Sequence, residues 1–480
     1  MVMELQHGSN MSEHLAQAGI GRHAVLRADE VDAARKPQRI FIDCTSTYMT
    51  GLNTGIQRVV RGLVERERAL SAHAGIPCIP VIAFKKRYWP FSQKERAWVQ
   101  PVLTGSVQSR RVGRGRFVRF ERAFLALSER LHVPRSVADV PLDGARYVLT
   151  RLFWRLQTVT PLRIFHRHKV QAIRSAPGDL LLIPDAFWGE HGQLPAIERF
   201  AAAGGAVLPI IHDITPLTHS AYFLDFNIRQ FVQGLASILR VACGVLTVSR
   251  AVMFDVGNYC AEQGYGHLPL DYAYSGADIA RPVTSEVASV RPHIAAQCQA
   301  RPFLMVGTVE PRKGHLTALD AYALYQKAGG RRPLVIVGRL GWKELDIVAR
   351  VQAVASSSGS VSFSNDASDA ELAAFYQQAG ALIFASYYEG FGLPLVEAMH
   401  QGLPVIASDI PVFREIGGDY PAYFHVGSAE DLCRAMQEHD RAEGHSRKPP
   451  RLWPTWDEAA PGYIDKAIAL YQKSLKGPAV

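Results

Sequence analysis

Two textures alternate along most of the chain. Apolar runs of four to six residues, bounded by glycine, proline or polar breaks, sit at 39–43, 180–184, 206–211, 244–249, 302–307, 334–338, 381–385 and 404–407. Runs this short, closed off by turn residues, read as strands buried on both faces; the longer mixed stretches between them read as helices. Strand and helix in regular alternation predict an α/β protein made of two successive parallel-sheet units.

Punctuation divides the chain further. Residues 1–37 are polar and aperiodic and read as a loose tail. The first unit spans 38–284 and is interrupted by a basic insertion at about 101–175; residues 285–301 link it to a second unit at 302–454. A closing helix over 455–480 opens on Thr455-Trp456-Asp457-Glu458, a capping box.

Candidate chemistry concentrates at ALIFASYYEGFGLPLVEAMHQGLPVIASD, residues 381–409. An apolar strand breaks at a glycine loop, Pro394 suits a first helical turn, and Gly402 falls just beyond the last one. The loop therefore lies at the C-terminal end of a parallel strand, the edge where such folds bind ligands, and the following helix offers free N–H groups to an anion. Gly390 and Gly392 would let backbone approach a phosphate closely. Glu389 and Glu397 bracket the loop as Glu-x7-Glu. Carboxylates repel phosphate, so their better use is accepting hydrogen bonds from sugar hydroxyls. Phosphate with two diols describes a nucleotide sugar; the competing reading makes both acids ordinary helix-terminus charges.

Other strand ends add to this set. Arg312 and Lys313 follow the run at 302–307, where their charges could neutralise a diphosphate. His212-Asp213 ends the run at 206–211, where a histidine either touches ligand or is satisfied within the structure. Ser249 stands near the N-cap of the next helix. After the first strand comes Thr50-Gly51-Leu52-Asn53-Thr54-Gly55, a glycine turn without the full G-x-G-x-x-G, so a phosphate loop and a plain turn remain equally open.

Composition narrows the partners. The 480 residues are 48% hydrophobic and 20% charged, as in ordinary globular proteins. No apolar run approaches a transmembrane helix and no secretory signal opens the chain, which predicts a cytoplasmic protein. Six cysteines without a C-x2-C pair argue against a zinc site or a disulfide framework. The net charge of +9 suits an anionic partner. Much of that charge lies in the insertion, where Arg110 to Arg122 (RRVGRGRFVRFER) interleaves arginines with aromatics, as does a second stretch at 151–155 that runs on to Phe165-His166-Arg167-His168-Lys169. Such a stretch could rest on an anionic membrane, grip RNA, or be a solvated insertion packed by one face.

YEGFGLPLVEAMHQGLPVIASD, together with the upstream VGTVEPRKG at 306–314, resembles the retaining glycosyltransferases of family 4, which have the GT-B fold: two Rossmann-like domains facing a central cleft. The match is specific in the second half and weaker in the first; its wording is nearest to bacterial mannosyl- and rhamnosyltransferases of surface polysaccharides. The resemblance implies transfer of a hexose from a nucleoside diphosphate sugar, with GDP-mannose or GDP-rhamnose favoured, to a glycan or lipid-linked acceptor in polysaccharide or lipopolysaccharide synthesis. It also implies retention of anomeric configuration and a last helix that crosses back to the first domain. Arg312, Lys313 and the loop Gly390, Phe391, Gly392, Leu393, Pro394 and Leu395 would hold the diphosphate, Glu389 the sugar and Glu397 the ribose. His212 would lie beside the donor sugar, and Gly55 and Thr308 would join the donor-binding set. Lipid-linked acceptors favour membrane contact for the insertion, at the inner face of the membrane, with no nucleic acid as partner. Without an Asp-x-Asp motif, neither metal nor cofactor is expected. A GT-B nucleotide-sugar epimerase and a non-catalytic membrane- or RNA-binding module are the alternatives.

Overall fold

The computed structural model describes residues 36–51, 54–100, 162–188, 193–277, 290–339, 345–357, 359–442 and 449–476. The tail at 1–35, residues 285–289 of the link, the basic stretch Arg110 to Arg122 and residues 151–155 of the second stretch lie outside them, whereas its continuation at 165–169 is described, with Phe165 buried.

Thirteen strands are formed by the described residues: β1 (Arg39–Asp43), β2 (Cys78–Phe84), β3 (Arg87–Pro90), β4 (Asp179–Ile183), β5 (Ala206–Ile211), β6 (Val245–Thr247), β7 (Leu270–Tyr272), β8 (Phe303–Val306), β9 (Leu334–Val337), β10 (Val361–Ser364), β11 (Ala381–Phe384), β12 (Val405–Ser408) and β13 (Ala422–Phe424). They make a seven-stranded sheet, ordered β3-β2-β1-β4-β5-β6-β7, and a six-stranded sheet, ordered β10-β9-β8-β11-β12-β13. All neighbours are parallel except β2 and β3, which form a hairpin. Strands such as β4 (DLLLI) and β9 (LVIV) are buried along their whole length, as helices on both faces require. Each order reverses once, between β1 and β4 and between β8 and β11. Loops leaving adjacent strands in opposite directions open a crevice there, the usual ligand position in such sheets.

Part of the expected link is structured. The helix Pro292–Gln299 packs on the helix Asp369–Gln378 of the second unit. Arg291, just before it, grips Glu371 through two hydrogen bonds of 2.7 and 3.0 Å.

The closing helix, Trp456–Leu475, begins at the capping box of Thr455 and Glu458. Its apolar face, Trp456, Ala460, Tyr463, Ile464, Ala467 and Tyr471, has the three-and-four spacing of a buried helix stripe. That face packs on the first unit, against the helices Gly55–Val64 and Glu67–Ala74 and strands β5 to β7. Gly62 is needed for this approach, because a Cβ there would lie 2.3 Å from the Trp456 ring. Ion pairs Arg66–Asp457 (2.5 Å) and Lys466–Asp271 (2.8 Å) flank the contact. The chain thus crosses between units twice and fastens them at one side. No helix of the described residues is long and apolar enough to cross a membrane.

Candidate active site

The crevice between β8 and β11 is assembled by two loops. After β8, Pro311–Lys313 makes a single 3-10 turn that ends at Gly314 in the left-handed region (φ 69°). A Cβ at Gly314 would sit 2.0 Å from the Ala385 carbonyl, so only glycine lets this loop lie against the one leaving β11. The Tyr387 N–H donates to the Arg312 carbonyl (2.8 Å) and ties the two together.

Zipped in this way, the loops bring Arg312, Lys313 and Glu389 into one cluster, with Glu389 buried and both cations part-buried. Glu389 Oε1 accepts from Lys313 Nζ and from Ser386 Oγ (2.7 Å), and Oε2 accepts from Arg312 (3.1 Å). Burial opposes the charge on Glu389, but Lys313 and Arg312 outweigh it and hold the carboxyl down at about 2. Arg312 is largely consumed within the protein: it also donates to the Tyr388 carbonyl (3.2 Å) and pairs with Glu310 (2.7 Å). Burial disfavours its charge, yet Glu389 and Glu310 raise its pKa on balance. Lys313 differs. Burial and the adjacent guanidinium lower its pKa, and the only hydrogen bond of its ammonium among the described residues goes to Glu389. Two of the three ammonium donors therefore remain for a ligand. Glu310 is 2% exposed, its pKa is raised by burial, and its Oε2 has no hydrogen-bond partner among the described residues.

The first unit closes on this cluster at the loop Tyr388–Gly392. A Cβ on Gly390 would lie 2.0 Å from the carbonyl of His212, at the end of β5. Ser249 both caps the helix Arg250–Glu262, accepting from Val252 N–H (3.2 Å), and donates to the Gly390 carbonyl (2.8 Å). The same helix receives a second cap from the other unit, since Glu415 accepts from the N–H groups of Arg250 (2.7 Å) and Ala251 (2.8 Å). Tyr388 donates to Asp255 (2.5 Å). Gly390 is thus a glycine because protein backbone approaches it, a different reason from the phosphate contact expected of it. Gly392, with φ 95°, is the N-cap of the helix Leu393–His400 and lies against the rings of Phe413 and Phe384.

His212 is buried, and its Nε2–H donates to the Pro184 carbonyl (2.7 Å). Burial lowers its pKa, leaving a neutral ring with Nδ1 as acceptor. Glu397, 5% exposed, accepts from Tyr376 (2.6 Å) on one oxygen and pairs with Arg58 (2.5 Å) on the other. Arg58 comes from the helix that begins at Gly55, in the first unit, and Glu397 raises its pKa. Gly55 itself faces open space. Thr308 is half-buried beside Gly307. The side chains of Phe391 and Leu395 belong to the core: Phe391 meets Trp453 (5.6 Å between centroids) and Tyr274 (6.3 Å). For those two positions only the backbone is left to face a ligand.

Residues 294–442 match the glycosyl transferases group 1 family. This chain carries a glycosyl transferases group 1 domain. The chain is 33% identical over 274 residues to the serotype-specific mannosyltransferase WbdA of Escherichia coli, covering 55% of this chain and 34% of that protein. It is 31% identical over 213 residues to the O-antigen chain mannosyltransferase B of Escherichia coli, covering 43% and 54%. Over 122 residues it is 36% identical to the GDP-mannose:cellobiosyl-diphosphopolyprenol alpha-mannosyltransferase of Xanthomonas campestris, covering 25% and 31%. The matched region thus spans about a third of WbdA. Among solved structures, sucrose-phosphate synthase from Thermosynechococcus elongatus superposes with a TM-score of 0.50 at 16% identity, over 91% of this chain and 97% of that one. The two parallel sheets with a closing helix that crosses back are the GT-B fold.

Within the glycosyl transferases group 1 domain and its partner unit, sequence reasoning missed Arg58, Glu310, Tyr376 and Glu415. Arg58, Tyr376 and Glu415 act on residues distant in the chain, and no local spacing announces such a pair. Glu310 stood in the motif itself, next to Pro311, and could have been singled out as a buried counter-charge.

Proposed function

We propose that this protein is a retaining glycosyltransferase of family 4 that moves a hexose from a nucleoside diphosphate sugar to a glycan or lipid-linked acceptor in bacterial polysaccharide or lipopolysaccharide synthesis. GDP-mannose or GDP-rhamnose is the preferred donor. The observation that carries this reading is the Arg312–Lys313–Glu389 cluster at the crevice between β8 and β11. The names of the mannosyltransferase relatives favour mannose, and that of the Xanthomonas campestris protein favours a GDP donor.

In this reading the spare donors of Lys313 and the N–H groups opening the helix Leu393–His400 meet the donor diphosphate, stabilising the charge that grows as it leaves. Arg312, already engaged by Glu310 and Glu389, fixes Lys313 and Glu389 in place. A carboxylate offers about four acceptor positions. Glu389 has used three and keeps one for a sugar hydroxyl; Glu397 has used two and can add ribose hydroxyls. The leaving phosphate takes the acceptor proton, so no protein nucleophile is required, and the cations do the work without metal or cofactor. The reaction takes place on the cytoplasmic side, at the inner face of the membrane.

A thermal-shift screen of nucleotide sugars, followed by transfer assays, tests this, because a ligand that binds only the folded state raises its stability. A GDP-sugar should raise the melting temperature, and product should require an acceptor. Product without acceptor means an epimerase; no shift with any nucleotide sugar removes the donor site.

A further inference from the structure

The structure assigns a second anion-binding site to the first unit, away from the crevice, for a ligand bearing a phosphate or diphosphate ester. A cavity of about 850 Å³ lies beside the edge strand β3, walled by Lys86, Arg87, Lys169, Arg174 and Arg199, and no carboxylate of the described residues lines it. That volume suits a small organic molecule. None of these five cations pairs with an acid among the described residues. Asp179, which follows this segment, is already held by Arg39 at 2.6 and 2.8 Å. Five cations with no acid partner among the described residues repel one another around a half-enclosed space, an arrangement that an incoming polyanion relieves.

Two further observations agree. Trp89 lines the cavity and is 8% exposed, yet its Nε1–H has no acceptor among the described residues. Buried donors are seldom left so, and an anionic oxygen would satisfy this one. Backbone conformation gives the second. Lys85 and Lys86 form the two-residue turn between β2 and β3 with φ of 46° and 61°, positions that ordinarily go to asparagine and glycine. Lys169 has φ 57°. Three of the four non-glycine residues with positive φ among the described residues are therefore lysines in or beside this cavity. Strained positions of this kind persist where surroundings impose them and cluster at ligand sites. The walls are anchored as well: Ile173 N–H donates to the Tyr88 carbonyl (2.8 Å), and Arg39 donates to the Arg174 carbonyl (3.1 Å).

Chemistry selects the ligand class. Arginine forks and lysine point charges together match phosphate oxygens. The inference does not depend on the transfer reaction, because none of these residues touches the Arg312–Lys313–Glu389 cluster.

Inorganic pyrophosphate is the probe. It is titrated into the full chain while acylation of Lys86 and Lys169 is followed by mass spectrometry, with Lys327, exposed on the second unit, as reference. Saturable protection of both lysines is expected. In an R174E/R199E variant, shown by thermal unfolding to be folded, the protection midpoint should rise by about a hundredfold, roughly tenfold for each charge-assisted contact removed. No protection in the wild type, or an unchanged midpoint in the variant, overturns the site. Phosphatidylglycerol and phosphatidylcholine vesicles then separate the sources. Protection by the anionic vesicles that pyrophosphate reverses identifies a lipid headgroup; pyrophosphate protection without vesicle protection identifies a soluble phosphate ester. Vesicle protection that pyrophosphate leaves untouched overturns the cavity in favour of general surface charge.

Discussion

The crevices of the two sheets occupy the same place in the topology, β1 against β4 and β8 against β11, but they collect opposite charges. Asp43 and Asp185 fill the first, both buried, with no cation bonded to either among the described residues. Asp43 accepts from Thr45 N–H (2.9 Å), Tyr88 (2.9 Å) and Gln193 (3.2 Å); Asp185 accepts from the N–H groups of Thr47 (2.7 Å) and Ala186 (2.9 Å). Burial raises both pKa values, and Asp43 helps to push Asp185 up to about 7. The second crevice holds Arg312 and Lys313 with a carboxylate that they keep ionised. Topology supplies a crevice twice, and side chains decide its use. The first is closed by its own hydrogen bonds, whereas the second keeps ammonium donors in reserve, so an anionic donor belongs there.

Lys313→Ala gives the most direct break in that contrast. Transfer should fall roughly 10²-fold or more, the size typical of losing one charge-stabilising group. Wild-type turnover in this variant removes Lys313 from the reaction.

Acid sensitivity sharpens the same difference. The Glu389 carboxyl titrates at about 2 in the folded protein against an ordinary 4.5. Its stabilising contribution is therefore fully present above about pH 4.5 and is lost as pH falls toward 2. Urea unfolding of Glu389→Gln should lose less stability between pH 6 and 3 than the wild type does; equal losses would show that this ion cluster is not linked to folding.

Closure comes next. Gly390→Ala places a Cβ against the His212 carbonyl, forcing the two units apart by part of an ångström or more. Misplacement on that scale should reduce kcat/KM by about tenfold, without weakening the free diphosphate as strongly. Full activity would mean that the crevice works without this contact.

Asp43→Ala tests the closed crevice. It leaves the Thr45, Tyr88 and Gln193 donors unpaired and should cost about 2–3 kcal/mol of stability. Nucleotide affinity of the folded fraction should not change, and a weakened affinity would make the first crevice part of the donor site.

Much of this contrast was legible in the sequence. The run at 39–43 is β1 to the residue, Ser249 and Thr455 cap the helices assigned to them, and the loops after β8 and β11 carry the cations and acids expected there. Strand runs and capping boxes are local signals, and the chain obeys them. Residues 45–50 carried no helix signal, because threonine-rich sequence has little helix propensity, yet Thr45–Thr50 is a helix with five buried residues. Tertiary packing overrode propensity at that point. Arg58 offered no cue at all, as its partner Glu397 lies in the other unit and only the closed fold brings them together. The glycine at 390 was visible, but its cause was not, since the carbonyl that forbids a Cβ comes from β5.

Calorimetric titration of GDP into three forms of the full chain decides which crevice holds the nucleotide. Wild type and Asp185→Asn should bind alike, because the crevice of the first sheet is satisfied by its own donors. Lys313→Ala should bind about tenfold more weakly or worse, as expected for one lost charge-assisted contact. Equal binding by Lys313→Ala and wild type, or a loss confined to Asp185→Asn, would place the nucleotide elsewhere and contradict the assignment of the donor to the crevice between β8 and β11.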